Sequence, residues 1–96
     1  MKIDFNKTSD NLTVLLDGRL DTISAPEFES FLNSNTSGVS SLTINCEKLA
    51  YVSSAGLRVI LAAQKKFNNS MKLINVNELV MEVFEMTGFA DILVIE

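Results

Sequence analysis

The 96-residue sequence contains no histidine. Histidine is the commonest general base, the commonest metal ligand and the usual activator of a serine nucleophile. Its absence disfavours hydrolytic and metal-dependent chemistry before any motif is considered. We therefore expect a protein that is not an enzyme and that needs no cofactor and no metal.

Cysteine and basic residues are also scarce. The single cysteine, Cys46, cannot form an internal disulfide, which fits a reducing cytoplasm. Twelve acidic residues outnumber eight basic ones, and no basic run exceeds Lys65-Lys66, so the charge pattern is unlike that of nucleic-acid binders. No apolar run is long enough to span a membrane, and the N-terminus does not resemble a secretory signal. These features predict a cytoplasmic protein that binds another protein or a small ligand.

Apolar residues make up 47% of the chain, enough for one domain over residues 1–96 to bury a core. Their periodicity predicts the order β-β-α-β-α-β-α-β. This is an α/β fold with a mixed sheet and helices packed against it. The predicted strands lie around 3–5, 12–16, 42–46, 71–76 and 92–95, and the helices over 25–32, from 54 to about 67, and from about 78 to 86.

Two helix starts carry capping signals. Ser24 precedes Glu27 at capping-box spacing, which predicts that their side chains cap the first helix. Asn77 is a suitable cap for the third helix. The apolar residues of that helix form one stripe expected to face the core: Leu79, Val80, Val83 and Phe84.

The stretch SSAG, residues 53–56, follows the third strand and opens the second helix. Functional groups of open α/β sheets collect at the carboxyl ends of strands, and the loop of residues 18–24 should reach the same edge. Capping of the helix by Ser53 or Ser54 is the simplest interpretation. Neither a catalytic base nor a glycine-rich phosphate loop accompanies the serines, which leaves a phosphorylation site as the functional alternative.

Three segments together carry a resemblance that covers nearly the whole chain: GRLDTISAPEF, LAYVSSAGLRVIL and MTGFADIL. The sequence resembles the STAS domain family, and specifically the bacterial anti-sigma factor antagonists. The resemblance implies binding to an anti-sigma factor, a serine kinase of the histidine-kinase-like ATPase fold, which frees a sigma factor. It also implies phosphorylation of a loop serine by that kinase and dephosphorylation by a PP2C-type phosphatase. The charge balance and the lack of a long apolar run separately predict no nucleic-acid partner and no membrane insertion.

The same resemblance assigns residues. The acceptor position, two residues before the loop glycine, is Ser54, with Ser53 as the second choice because it replaces the aspartate that precedes the acceptor in sporulation-type members. Asp21 matches the acidic residue beside the phosphorylation loop, although Asp in such a loop also commonly bonds its own backbone. The expected partner-binding residues are Asp21, Thr22, Ser53, Ser54, Ala55, Gly56, Leu57 and Arg58.

The sequence is compatible with two other functions. STAS domains also serve as scaffold subunits of stress-sensing complexes and as accessory parts of lipid or anion transport systems. Nucleotide binding by the serine loop is a third possibility, against which the missing Walker lysine counts.

Overall fold

The computed structural model describes residues Met1–Glu96, and its mixed four-stranded sheet and three helices confirm the predicted α/β fold. The strands are β1 (Lys2–Thr8), β2 (Asn11–Leu20), β3 (Ser41–Val52) and β4 (Met71–Ile74), and the helices are α1 (Ala25–Asn35), α2 (Ser54–Phe67) and α3 (Glu78–Met86). None of these helices is both long and apolar enough to cross a membrane.

The sheet follows the chain order β1-β2-β3-β4. β1 pairs with β2 as an antiparallel hairpin, whereas β2 with β3 and β3 with β4 are parallel pairs. The parallel pairs require crossover connections, which α1 and α2 provide. The loop that follows β2 and the loop that follows β3 therefore leave the sheet at the same edge.

The core lies on the inner strands. Leu12, Val14 and Leu16 of β2 are fully buried and alternate with half-exposed neighbours, as the sequence pattern predicts. On β3 the consecutive residues 42–44 are all buried, so both faces of this strand are covered. Cys46 is also a core residue, and its burial raises the pKa of the thiol to about 12.

The predicted fifth strand, over 92–95, is wrong. A 3-10 turn at Phe89–Asp91 leads into Leu93, which is buried in the core, and the following residues meet β4 at one parallel bridge between Leu73 and Ile95. Because Leu93 turns inward and β4 is only four residues long, the segment is left with a single pairing position.

The predicted stripe of α3 is only partly right. Val80 and Phe84 are buried, but Leu79 is 69% exposed. Val80 and Phe84, four residues apart, share the helix face that meets the core, and the partly buried Val83 packs against the core beside them. Asn77 caps α3 as predicted, because its Oδ1 accepts a hydrogen bond of 2.9 Å from the Val80 N–H.

Truncation of one buried and one exposed apolar side chain of α3 should show how differently they contribute to stability. Phe84→Ala empties a fully buried site and should lower the free energy of unfolding by about 3–5 kcal/mol. Leu79→Ala is the matched control on the same helix and should change stability by less than about 0.5 kcal/mol. Urea denaturation of both variants measures the difference, and equal losses would contradict the burial described for this helix.

Candidate functional site

The carboxyl ends of β2 and β3 lie side by side, as the sequence predicts. Their parallel pairing continues to Leu20 opposite Val52, and the Ser53 N–H then donates a hydrogen bond of 2.8 Å to the Leu20 carbonyl. The first loop residues after each strand, Asp21 and Ser53, are therefore anchored next to each other. This backbone hydrogen bond holds the two loops of the candidate site together.

Asp21 organises the turn that connects β2 to α1. Its Oδ1 accepts hydrogen bonds from the Ile23 N–H at 3.0 Å and from the Ser24 N–H at 3.1 Å. The Ser24 hydroxyl donates to the Arg19 carbonyl at 2.6 Å and accepts from the Asp21 N–H at 2.9 Å. No hydrogen bond joins the Asp21 carboxylate to Ser53 or Ser54, so the two loops meet through the backbone.

The predicted capping box of α1 does not form. Ser24 occupies the N-cap position, but its side chain makes no capping hydrogen bond. Its backbone is already helical, with φ −87° and ψ −18°, whereas a capping side chain normally needs an extended backbone. The Ser24 hydroxyl is therefore used within the Asp21 turn, and Glu27 has no reciprocal role.

The Asp21 turn also fixes the charge of its carboxylate. The hydrogen bond from the Ser24 N–H lowers the pKa of Asp21, and the Ile23 N–H and the Arg19 guanidinium act in the same direction, although partial burial opposes them. Asp21 therefore carries a negative charge at neutral pH. That charge lies at the edge where α2 begins.

The two adjacent serines differ in structure. Ser53 is half-buried and is the N-cap of α2, with extended backbone and an Oγ that accepts a hydrogen bond of 3.3 Å from the Gly56 N–H. Ser54 is the first residue of the helix and is exposed, and its hydroxyl makes no hydrogen bond within the protein. The cap and the free hydroxyl are thus separate residues.

Gly56 lies directly against β2. A Cβ atom at this position would be 2.7 Å from Leu20 Cγ and 2.9 Å from the Leu20 carbonyl oxygen. Real Cβ atoms do not approach that closely, and the carbonyl oxygen belongs to the backbone that also binds Ser53. The glycine therefore lets the first turn of α2 sit on the end of β2.

The remaining predicted contact residues divide into exposed and buried sets. Thr22, Ala55 and Arg58 line an open groove between the first turns of α1 and α2, together with Ala25, Pro26, Glu29 and Val59. Leu57 is only 5% exposed and Gly56 is buried, so these two residues support the surface from beneath. The structure thus places Gly56 and Leu57 beneath the predicted contact surface, whereas Thr22, Ala55 and Arg58 lie on it.

No group of three or more acidic, cysteine or histidine side chains is placed to hold a metal ion. The groups at this edge are the Ser54 and Thr22 hydroxyls, the Asp21 and Glu29 carboxylates, the Arg58 guanidinium and the N–H groups of the first turn of α2. These groups suit recognition or modification of the serine loop.

Comparison with known proteins places this arrangement in a family. Residues 2–96 match the STAS domain. The chain belongs to the STAS domain family.

Two relatives cover this STAS domain almost completely. BtrV of Bordetella bronchiseptica is 31% identical over 96 residues, which span 96% of this chain and 83% of that protein. The anti-sigma-B factor antagonist of Bacillus subtilis is 29% identical over 96 residues, which span 97% of this chain and 88% of that protein.

Solved structures confirm the fold. The anti-sigma factor antagonist SpoIIAA in its unphosphorylated form superposes with a TM-score of 0.82 at 18% identity, over 99% of this chain and 88% of that chain. The phosphorylated form of SpoIIAA, described as a Bacillus cell fate determinant, gives a TM-score of 0.74 at 17% identity, over 99% and 91%. At these identities the likeness concerns the fold alone.

Sequence reasoning missed three exposed residues at the loop edge of the STAS domain. Ile23, within the Asp21 turn, is 89% exposed, and Arg19 lies over the ring of Tyr51. Ile23 is adjacent to Thr22, Arg19 is two residues from Asp21, and Tyr51 is two residues from Ser53. Each therefore lies close to a predicted site residue. An apolar side chain inside a polar turn was the signal for Ile23, whereas the meeting of Arg19 and Tyr51 depends on strand register.

Tyr51 also contributes to an apolar groove between β3 and α3. Leu79 and Met86 line this groove and are exposed. The exposed apolar side of α3 therefore faces the groove and not the core.

Gly56→Ala should destabilise this STAS domain. In an ordinary exposed helix position the change stabilises, because alanine has the higher helix propensity. Here the added Cβ meets Leu20 side-chain and backbone atoms, so we expect a loss of about 1–3 kcal/mol in the free energy of unfolding. Ser54→Ala, at an exposed position of the same turn, is the control, and a stability gain in Gly56→Ala would show that the contact is looser than described.

Asp21→Ala should lower stability in a pH-dependent way. The pKa of Asp21 is lowered from 3.8 in the folded protein, so the stabilisation is fully present above the unfolded pKa and is lost as pH falls through the folded value. We expect a lower melting temperature than wild type at pH 7 and a gap that narrows below about pH 4. Thermal melts across this range provide the measurement.

Asp4→Ala is a suitable control for that experiment, since Asp4 is exposed on β1 with only a 3.9 Å contact to Lys2. A difference in melting temperature between Asp21→Ala and wild type that stays constant at every pH would contradict the lowered pKa of Asp21.

Proposed function

We propose that this STAS domain is an anti-sigma factor antagonist. In its unphosphorylated form it binds a cytoplasmic anti-sigma factor, a serine kinase of the histidine-kinase-like ATPase fold, and so releases a sigma factor. Phosphorylation of Ser54 by that kinase ends binding, and a PP2C-type phosphatase restores it. The role named for the Bacillus subtilis relative supports the proposal.

The free Ser54 hydroxyl is the observation that carries this function. It is exposed at the first position of α2, without any hydrogen bond inside the protein. A kinase can therefore reach it without breaking a contact of the fold. Ser53, by contrast, is half-buried and its Oγ already accepts the Gly56 N–H, so we choose Ser54 as acceptor.

The start of α2 also suits a phosphate. The N–H groups of Ser54 and Ala55 lie in the first turn, where no acceptor within the helix exists, and that turn contains no acidic residue. A negative group here would be stabilised by the helix dipole. The phosphorylated loop can thus keep the backbone of the unphosphorylated loop.

Phosphate would still oppose docking of the partner. It adds up to about two negative charges beside Asp21, which is already ionised. A partner that covers this edge must remove water from all of these charges. A poorly paired buried charge costs several kcal/mol, which corresponds to about a hundredfold or more in affinity.

Substitutions at the two serines test the proposal against the anti-sigma factor kinase that it names as the partner. Ser54→Ala should bind that kinase with wild-type affinity and accept no phosphate, whereas Ser54→Asp should bind at least about tenfold more weakly because of its added charge. Calorimetric titration and intact-mass analysis after incubation with ATP give the two readouts.

Ser53→Ala is the matched control. It removes the cap of α2 and should cost about 1 kcal/mol of stability, while phosphorylation at Ser54 continues. Phosphate incorporation that persists in Ser54→Ala and disappears in Ser53→Ala would overturn the choice of acceptor. Wild-type affinity of Ser54→Asp would overturn the electrostatic account.

A further inference from the structure

Arg19 is exposed but held in place. Its side chain is 63% exposed, and its guanidinium carbon lies 4.3 Å from the centre of the Tyr51 ring. Its Nε is 3.9 Å from the Asp21 Oδ2. A cation over an aromatic face and a neighbouring carboxylate both favour this position over the many others that a free arginine samples.

The backbone places Arg19 at this point. The register of β2 against β3 shifts between Gly18 and Arg19, and Gly18 has a φ of +115°, a value that favours glycine. Such irregularities in strand pairing redirect side chains. After the shift Arg19 pairs with Tyr51, two residues before Ser53, while the next pair, Leu20 with Val52, is buried.

The guanidinium retains most of its binding capacity. It has five N–H donors, and its side chain makes no hydrogen bond in the protein, because 3.9 Å to Asp21 exceeds hydrogen-bonding distance. Stacking on Tyr51 leaves the edge of the guanidinium plane available to a planar acceptor. Arginine and tyrosine are both enriched among the residues that dominate binding energy at protein interfaces.

We propose that Arg19, positioned by Tyr51, is a specificity-determining contact of the partner-binding surface and binds a carboxylate side chain of the anti-sigma factor. This proposal rests on the proposed function and identifies the chemistry of the partner at one point. A carboxylate fits because guanidinium binds it through two parallel hydrogen bonds. The domain itself has a net charge of −4, so a fixed cation at this edge gives an acidic group on the partner one defined place to bind.

Arg19→Gln tests the contact by titration with the same anti-sigma factor kinase, using unphosphorylated protein. We expect about tenfold weaker binding at low salt, and a smaller difference as NaCl is raised, because the lost interaction is between charges. Arg19→Lys should recover only part of the affinity, since lysine lacks the planar paired donors. Lys65→Gln removes the same charge from the last turn of α2 and should bind like wild type.

Tyr51 variants test the positioning role. Tyr51→Phe keeps an aromatic face under Arg19 and should bind like wild type, whereas Tyr51→Leu should lose affinity in the same salt-dependent manner as Arg19→Gln. Combining Tyr51→Leu with Arg19→Gln should add little further loss, because both changes remove the same contact.

The outcomes separate this proposal from the proposed function. If Arg19→Gln binds like wild type while Ser54→Asp binds weakly, the Arg19 contact is wrong and the antagonist function stands. If Arg19→Gln leaves binding by the unphosphorylated protein unchanged and alters only the stability of the Ser54-phosphorylated form, Arg19 pairs with the phosphate inside the domain. Our proposal is then overturned. If wild-type protein binds no such kinase, the proposed function fails and this proposal with it.

Discussion

The hydrogen bond between the Ser53 N–H and the Leu20 carbonyl is the interaction on which this edge of the domain depends. It prolongs the parallel pairing of β2 and β3 into the loops, where pairing normally stops. Gly56 then packs on the same residue, because a larger side chain would collide with the Leu20 carbonyl. The Asp21 turn and the first turn of α2 are therefore joined through Leu20, and both loops contribute to one continuous surface.

Most of the fold could be predicted from the sequence, because core positions recur at regular spacing, most clearly along β2. Leu12, Val14 and Leu16 are buried at alternate positions, as their spacing requires. The errors concern tertiary contacts that periodicity does not encode. Leu79 belongs to the apolar stripe of α3 but has no neighbour to cover it, and the segment around Ile95 is β-like in sequence but meets β4 at one position.

The candidate site could be predicted as a location but not as a set of contacts. Strand order brings Asp21 and the serines to one edge, so their proximity follows from topology. Which serine caps α2, and why Ser24 does not cap α1, depends on individual backbone angles. The stacking of Arg19 on Tyr51 depends on a register shift at Gly18, for which the sequence gives only the glycine as a sign.

Ser53 caps α2 and Ser54 makes no hydrogen bond, and this difference has a consequence for the lifetime of the protein. The hydroxyl that starts the helix is not the one left free, so covalent change at Ser54 removes no bond that maintains the folded state. Under the proposed switch, each round of modification and reversal breaks no hydrogen bond of the fold and therefore does not expose the chain to additional unfolding and proteolysis. The cell can then read the modification without altering how much of the protein it holds.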